Sequence, residues 1–279
     1  IRRPPRSTQG VSSAASDVYK RQHIDIAVKN NVSKWQKELD AELMPNNVLR
    51  LSESGLISDK KGYDTGEWWV QDYSSQLPVK CLTIGQDDEI LDLCAAPGGK
   101  TAQMLALGAK VHSIDLSDKR IIRFKENMRR LKFNPVIDNA DILTYKTEKK
   151  WQKILLDVPC SSTGTIRKNP DILYSKNEKS VSNLVNLQTR LLEKSWSLLG
   201  KHGHLIYCNC SLEVEEGEMQ IINFLKHHGD CQIDKISSNL IEDIQDSVTE
   251  EGWLRILPSG KKGVKNRDGF FIARLKKIS

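Results

Sequence analysis

From His23 onward, apolar residues recur with two periods that alternate along the chain. Residues 23–28 alternate apolar and polar, the mark of a short strand. Val32, Trp35, Leu39 and Leu43 stand at the spacing of one helical face, so a helix is expected over 32–43. Asn46-Asn47 turns the chain and 48–51 reads as a second strand. This strand–helix–strand unit has too little apolar surface to bury a core alone and should lean on the larger domain C-terminal to it. Residues 62–76, rich in aromatic and turn residues, read as the connection.

Beyond Asp87 the periods interleave regularly. Strands are expected at 89–93, 110–114, 136–137, 153–157 and 204–207. Between them, helices are expected from the turn after 93 to 107, over 117–131 with Ile121, Phe124, Met128 and Leu131 inward, and over 184–198. Another should come after 207, facing inward with Met219, Ile222 and Leu225. Residues 268–275 should close the sheet. Strands alternating with helices predict an α/β fold, a mainly parallel sheet with helices on both faces. A small partial α+β subdomain over 23–70 precedes it. Ligands of such sheets bind beyond the carboxyl ends of the strands.

Those ends carry the candidate chemistry. The first, 92–101, reads DLCAAPGGKT. Its glycines permit a tight turn, and the helix after it offers free N–H groups. The stretch fails as a Walker A loop, because Cys94 stands where the first glycine belongs, and it lacks the third glycine of a dinucleotide fingerprint. The next ends carry Asp115, Asp141 and Asp157. A lone aspartate there is usually a cap or turn former. Three in succession beside a Gly-Gly turn describe a nucleoside pocket, with an acid 23 residues after Asp92 in the place of a ribose-hydroxyl acceptor. The last end reads YCNCS, 207–211. Cys210 lies where strand passes to helix, so a helix N-terminus should favour its thiolate while Glu213, Glu215 and Glu216 oppose it. Cys81, Cys94 and Cys231 read as packing residues. No second pair of ligands accompanies Cys208 and Cys210, so no metal is expected.

Composition narrows the partners. Six cysteines in 279 residues are too few for a disulfide scaffold, and no apolar run approaches a membrane span. The net charge is +6, but residues 1–22 hold five cations and one acid and so contribute +4 of it. Any nucleic-acid surface must therefore be a local patch. The Ser-, Arg- and Pro-rich leader 1–22 reads as non-native or disordered, similar to translated sequencing adapter, with a mitochondrial transit peptide as the alternative. On the first reading the chain lacks its true start.

Together GEWWVQD (66–72), DLCAAPGGKT, SIDLSDKR (113–120), DVPCSSTGTIRKNPD (157–171), YCNCSLEVEEGE (207–218) and DGFFIARL (268–275) resemble the RsmB/Sun/NOL1 family of RNA cytosine-5 methyltransferases, closest to the bacterial 16S rRNA type. The resemblance implies a Rossmann-like class I methyltransferase domain over 71–279 that uses S-adenosyl-L-methionine. It implies that Cys94, Ala95, Ala96, Pro97, Gly98, Gly99 and Lys100 hold the cofactor, with Asp115 on the ribose, Asp141 on the adenine and Asp157 between cofactor and cytosine. Cys210 is the implied nucleophile and Cys160 the residue that assists product release. Asn209 stands where the family usually has Thr. A cytosine at C5 is a poor nucleophile, and a thiolate adding at C6 activates it. Stacking hides C6, so the RNA target should be unpaired or flipped out. Arg167 and Lys168 are candidate phosphate contacts, and Lys261, Lys262, Lys265 and Arg267 form a second basic loop. A cytoplasmic monomer is expected. Three other readings stay open: a cofactor- and RNA-binding remnant without turnover, an enzyme acting on tRNA, and a DNA-type enzyme whose nucleophile is Cys160.

Overall fold

A computed structural model describes residues 23–52, 55–237, 240–242, 245–258 and 265–279. The leader, Lys261 and Lys262 lie outside the described residues. In chain order the elements are β1 (Ile24–Val28), α1 (Val32–Glu38), β2 (Glu42–Met44), β3 (Val48–Leu51), β4 (Trp68–Val70), α2 (Tyr73–Cys81), β5 (Glu89–Leu93) and α3 (Gly99–Ala106). Next come β6 (Lys110–Asp115), α4 (Asp118–Arg130), β7 (Val136–Asn139), β8 (Trp151–Asp157), α5 (Ile172–Ser175), α6 (Glu178–Leu198), β9 (Leu199–Asn209), α7 (Glu218–His227), β10 (Cys231–Ile233), β11 (Leu254–Ile256) and β12 (Phe270–Lys277).

The first four strands form an antiparallel sheet in the order β2-β3-β1-β4. The expected helix over 32–43 is shorter: it stops at Leu39, Asp40 turns left-handed, and Leu43 sits half-exposed in β2. The expected connection over 62–76 contains β4 and the start of α2. Trp68 and Trp69 alternate across β4, so Trp68 fills the small sheet's own core with Ile26, Trp35 and Leu49 while Trp69 packs with Ala95, Ala96 and Met128. Thus one face of the small unit leans on the larger. The buried Asp25 carboxylate bridges them, accepting from the Arg50 guanidinium at 2.7 Å and from the Tyr73 N–H at 3.0 Å.

The second sheet runs β10-β12-β9-β8-β5-β6-β7, with β11 also on β12. The pairings from β9 through β8, β5 and β6 to β7 are all parallel, and β12 is antiparallel to β9. Strand β12 does not close the sheet as expected, because β10 pairs on its far side. Two apolar layers cover the faces, one around Leu77, Ile90 and Ile206, the other around Leu91, Leu156 and Trp196. On α4 the inward residues are the expected Ile121, Phe124 and Met128. On α7 the inward face is Gln220, Ile221 and Phe224, one position away from the expected set; Met219 and Ile222 are exposed. The displacement comes from the polar Gln220, whose amide donates to the Val185 carbonyl and whose oxygen accepts from Thr189.

Candidate functional site

All five expected strand ends come to one edge of the sheet. After β5 the chain passes through Cys94 at φ 61° and Gly98 at φ 103° into α3. A β-carbon on Gly98 would lie 2.7 Å from Met128 Cε, so packing and backbone conformation both require glycine there. The Asp115 carboxylate is buried and builds this turn. It accepts from the Ala96 and Ser117 N–H groups, each at 3.0 Å, and pairs with Arg120 at 3.2 Å. Asp141 caps the turn after β7 by accepting from the Leu143 N–H at 2.9 Å.

Between these turns lies a cavity of about 270 Å³. Cys94, Asp115 and Asp141 line it together with Leu116, Ile142 and Pro159. Apolar walls with two carboxylates at the rim suit a flat base carrying hydroxyl and amino donors. Each Asp115 oxygen has acceptor sites beyond its backbone N–H. These acceptors therefore fit the nucleoside part of S-adenosylmethionine. Asp92, buried beneath the turn, accepts from the Thr101 hydroxyl through one oxygen, while the other has no partner. Burial pushes its carboxyl up to about 7, and Asp157 adds like-charge repulsion.

The chemistry sits next to this cavity. Lys100, expected to hold the cofactor, donates to Asp157 at 2.7 Å and lies 5.4 Å over the Phe270 ring. Burial opposes its charge, but Asp157 and the nearby Cys208 and Cys210 hold the ammonium protonated well above the ordinary lysine range. Cys160 and Cys210 face each other at 3.5 Å. Their shifts are opposed. The contact with the Cys160 thiol lowers Cys210, with further help from Ser162 and Lys100, against burial and the Asp157 charge. The same contact, with burial behind it, raises Cys160. Of the two thiols, Cys210 is the one shifted toward the charged form. The helix expected to favour its thiolate begins only at Glu218, and the groups that lower Cys210 are Cys160, Ser162 and Lys100.

The sequence alone missed the group that joins the two cysteine loops. Glu216, read only as a charge opposing the Cys210 thiolate, is fully buried. Its carboxylate accepts from the Ser161 N–H at 2.9 Å, from the Ser161 hydroxyl and from the Gln188 amide at 2.8 Å. Its carbonyl accepts from Tyr207 and from Asn209, each at 2.7 Å. Asn209 also accepts from the Ser211 N–H, so it grips the turn that presents Cys210. Ser161 is next to Cys160 and Ser211 next to Cys210, and their hydroxyls meet at 2.9 Å. Three acids close together in sequence gave no signal of which one turns inward.

Arg167 and Lys168, the candidate phosphate contacts, are ion-paired within the fold. Lys168 pairs with Asp72 and, at 2.8 Å, with Asp268; Arg167 pairs with Asp268 at 3.2 Å. This network fastens the Cys160 loop to the starts of α2 and β12. Arg267 is buried and donates to the Leu257 carbonyl, which removes it from any basic surface. Lys265 is exposed.

The parallel sheet, the nucleoside-shaped cavity and the side chains at the strand ends define a Rossmann-like class I methyltransferase domain. The family model for 16S rRNA methyltransferase RsmB/F matches residues 79–276, and the chain belongs to that family. Ribosomal RNA small subunit methyltransferase B of Photorhabdus laumondii is 36% identical over 246 residues, covering 86% of this chain and 54% of the relative. The protein of that name from Yersinia enterocolitica is 33% identical with the same coverages. The chain spans about half the length of these curated relatives. Among solved structures, PH0851 superposes with a TM-score of 0.83 at 28% identity, covering 94% of this chain and 61% of the other. NSun6 from Pyrococcus horikoshii, solved with SFG, gives 0.70 at 27%, covering 81% and 57%.

Proposed function

We propose that this chain transfers a methyl group from S-adenosyl-L-methionine to C5 of a cytosine in RNA, with 16S rRNA as the substrate, through a covalent bond between Cys210 and C6. One observation carries the choice of nucleophile: the Cys160 and Cys210 thiols stand 3.5 Å apart beside Ser162 and Lys100, and Cys210 is the one of the two shifted down. The names of the curated relatives support ribosomal RNA as the substrate. That the related NSun6 was solved with SFG supports a small-molecule ligand on this fold, and the cavity between Cys94 and Asp141 offers the place for it.

Bound there, S-adenosylmethionine would supply an electrophilic methyl group. Asp115 and Asp141 would hold its hydroxyl and amino donors, and the turn 94–100 would surround the rest. Cys210 adds to C6 as a thiolate, and the ring electrons move toward C5, which becomes nucleophilic. Asp157 meets the N3 side of the ring, where protonation stabilises the adduct. Lys100 keeps a positive charge beside it. After methyl transfer water takes the C5 proton, the electrons of that C–H bond restore the C5–C6 double bond as the C6–sulfur bond breaks, N3 gives up its proton, and Cys210 departs as thiolate, a release that Cys160 assists.

Cys210→Ala and Cys160→Ala separate the readings. RNA incubated with labelled S-adenosylmethionine should gain 5-methylcytosine with the wild type. Cys210→Ala should form no adduct, whereas Cys160→Ala should accumulate one. An adduct that survives in Cys210→Ala and vanishes in Cys160→Ala would reverse the assignment. Cofactor binding without methylation of any RNA would favour a binding remnant.

A further inference from the structure

With Arg167 and Lys168 engaged by Asp72 and Asp268, the charge distribution points elsewhere for RNA. Residues 23–279 carry a net charge of +2 in total. Residues 116–134, which are α4 and its flanks, hold seven cations and two acids, a net +5, so the remainder of that span is net negative. Two of the seven are structural. Arg120 pairs with Asp115, and Arg130 donates to the Tyr63 and Trp68 carbonyls. The other five, Lys119, Arg123, Lys125, Arg129 and Lys132, are exposed, and none is ion-paired to a described acid.

We propose that the outer face of α4 and the turn after it form an RNA-backbone track, with Lys125, Arg129 and Lys132 as its phosphate-binding end. The proposal rests on the reading of RNA as substrate and locates a surface for it outside the catalytic cleft. Geometry supports a track rather than scattered charge. Lys125 and Arg129 stand one turn apart on the helix, and with Lys132 they line a groove of about 500 Å³ whose apolar lining includes Phe133, Pro135 and Ile137. Lys29 lies 4.6 Å over the Phe133 ring from the neighbouring sheet. Burial lowers the Lys29 ammonium, Glu67 counters this, and repulsion from Lys132 and Arg130 adds to the lowering. The cations here repel one another, which a polyanion would relieve. Helix α4 begins three residues after Asp115 and, with 13 residues, runs about 20 Å away from the cofactor cavity. A bound RNA can therefore reach from the active edge along Lys119 and Arg123 to the groove. Phosphate contacts of this kind position a substrate without reading its sequence.

The test is Lys125→Glu/Arg129→Glu/Lys132→Glu in the full chain, beside Lys125→Gln/Arg129→Gln/Lys132→Gln and a control with Lys179, Lys201 and Lys226 changed to Glu on other elements. Binding of a 16S rRNA fragment is measured over a salt series, with S-adenosylmethionine affinity and circular dichroism as checks on the fold. The track variants should bind RNA at least about tenfold more weakly near 0.1 M salt. The slope of log affinity against log salt should be shallower by about 2 for three lost single-strand phosphate contacts. KM for RNA should rise with kcat and cofactor affinity unchanged, and the control should behave as wild type. Unchanged RNA affinity and slope in the Gln and Glu variants, with wild type still methylating RNA, would overturn the track alone. A wild type that neither binds nor methylates RNA would overturn the substrate reading with it.

Discussion

Glu216→Ala tests whether one buried carboxylate holds the two cysteine loops together. The change removes the acceptor for the Ser161 N–H, the Ser161 hydroxyl and the Gln188 amide. The residue is fully buried, so water does not replace these bonds at no cost. Stranding a buried donor costs about 1–3 kcal/mol, and three with partial relaxation come to about 3–6 kcal/mol. For a domain of this size, that corresponds to a melting temperature about 6–12 °C lower. Glu216→Gln keeps the shape and most of the bonds, so its loss should be much smaller. The negative charge is also one of the influences that raise Cys160, after the Cys210 bond and burial. Removing it in Glu216→Gln should lower the pH at which Cys160 is alkylated by iodoacetamide, read residue by residue by peptide mass spectrometry. A Glu216→Ala protein melting within about 2 °C of wild type, the resolution of about 1 kcal/mol, would refute the clamp. An unchanged alkylation profile in Glu216→Gln would refute the electrostatic part.

Lys100→Met leaves Asp157 half-buried without its cation and should cost about 3 kcal/mol of stability. It should also raise the pH at which Cys210 is alkylated, because Lys100 is among the groups that lower it; alkylation mass spectrometry reads the direction. Asp92 has a folded-state carboxyl raised to about 7 from 3.8, so the fold favours its protonated form. Its contribution to stability is full below about pH 4, is lost as pH rises to about 7, and is flat above, a change on the order of 2–4 kcal/mol. Asp92→Asn should flatten that slope in thermal melts between about pH 4 and 7, and an unaltered slope would contradict the assignment. Gly164→Ala would set a β-carbon 2.3 Å from the Gly269 carbonyl and 2.7 Å from that of Cys210. The Cys160 loop should shift, with kcat reduced at least tenfold while S-adenosylmethionine binding, measured by calorimetry, persists.

The alternation of strands and helices after Asp87 was legible because parallel strands buried on both faces leave short apolar runs, and α4 carries a clean 3.6-residue period. The site was legible where chemistry falls at a strand end, as with Asp115, Asp157 and Cys210. Helix α2 was hidden by Pro78 within it and by buried polar residues such as Ser74 and Gln76, which break the apolar pattern. The inward face of α7 was hidden for the same reason at Gln220. Ion-pair partners distant in sequence were also illegible. Nothing local distinguishes Lys168, held by Asp72 and Asp268, from Lys125, which faces solvent. Glu216 turns inward only because Ser161 and Gln188, 55 and 28 residues away, wait for it.

The role of Cys210 is tested most directly by RNA carrying 5-fluorocytosine, whose C5 fluorine cannot leave as the proton does. Incubated with the full chain and S-adenosylmethionine, then digested for peptide mass spectrometry, the trapped ring should be found on the peptide holding Cys210. A ring on Cys160, or capture of the base on neither cysteine while 5-methylcytosine still forms in ordinary RNA, would contradict the account.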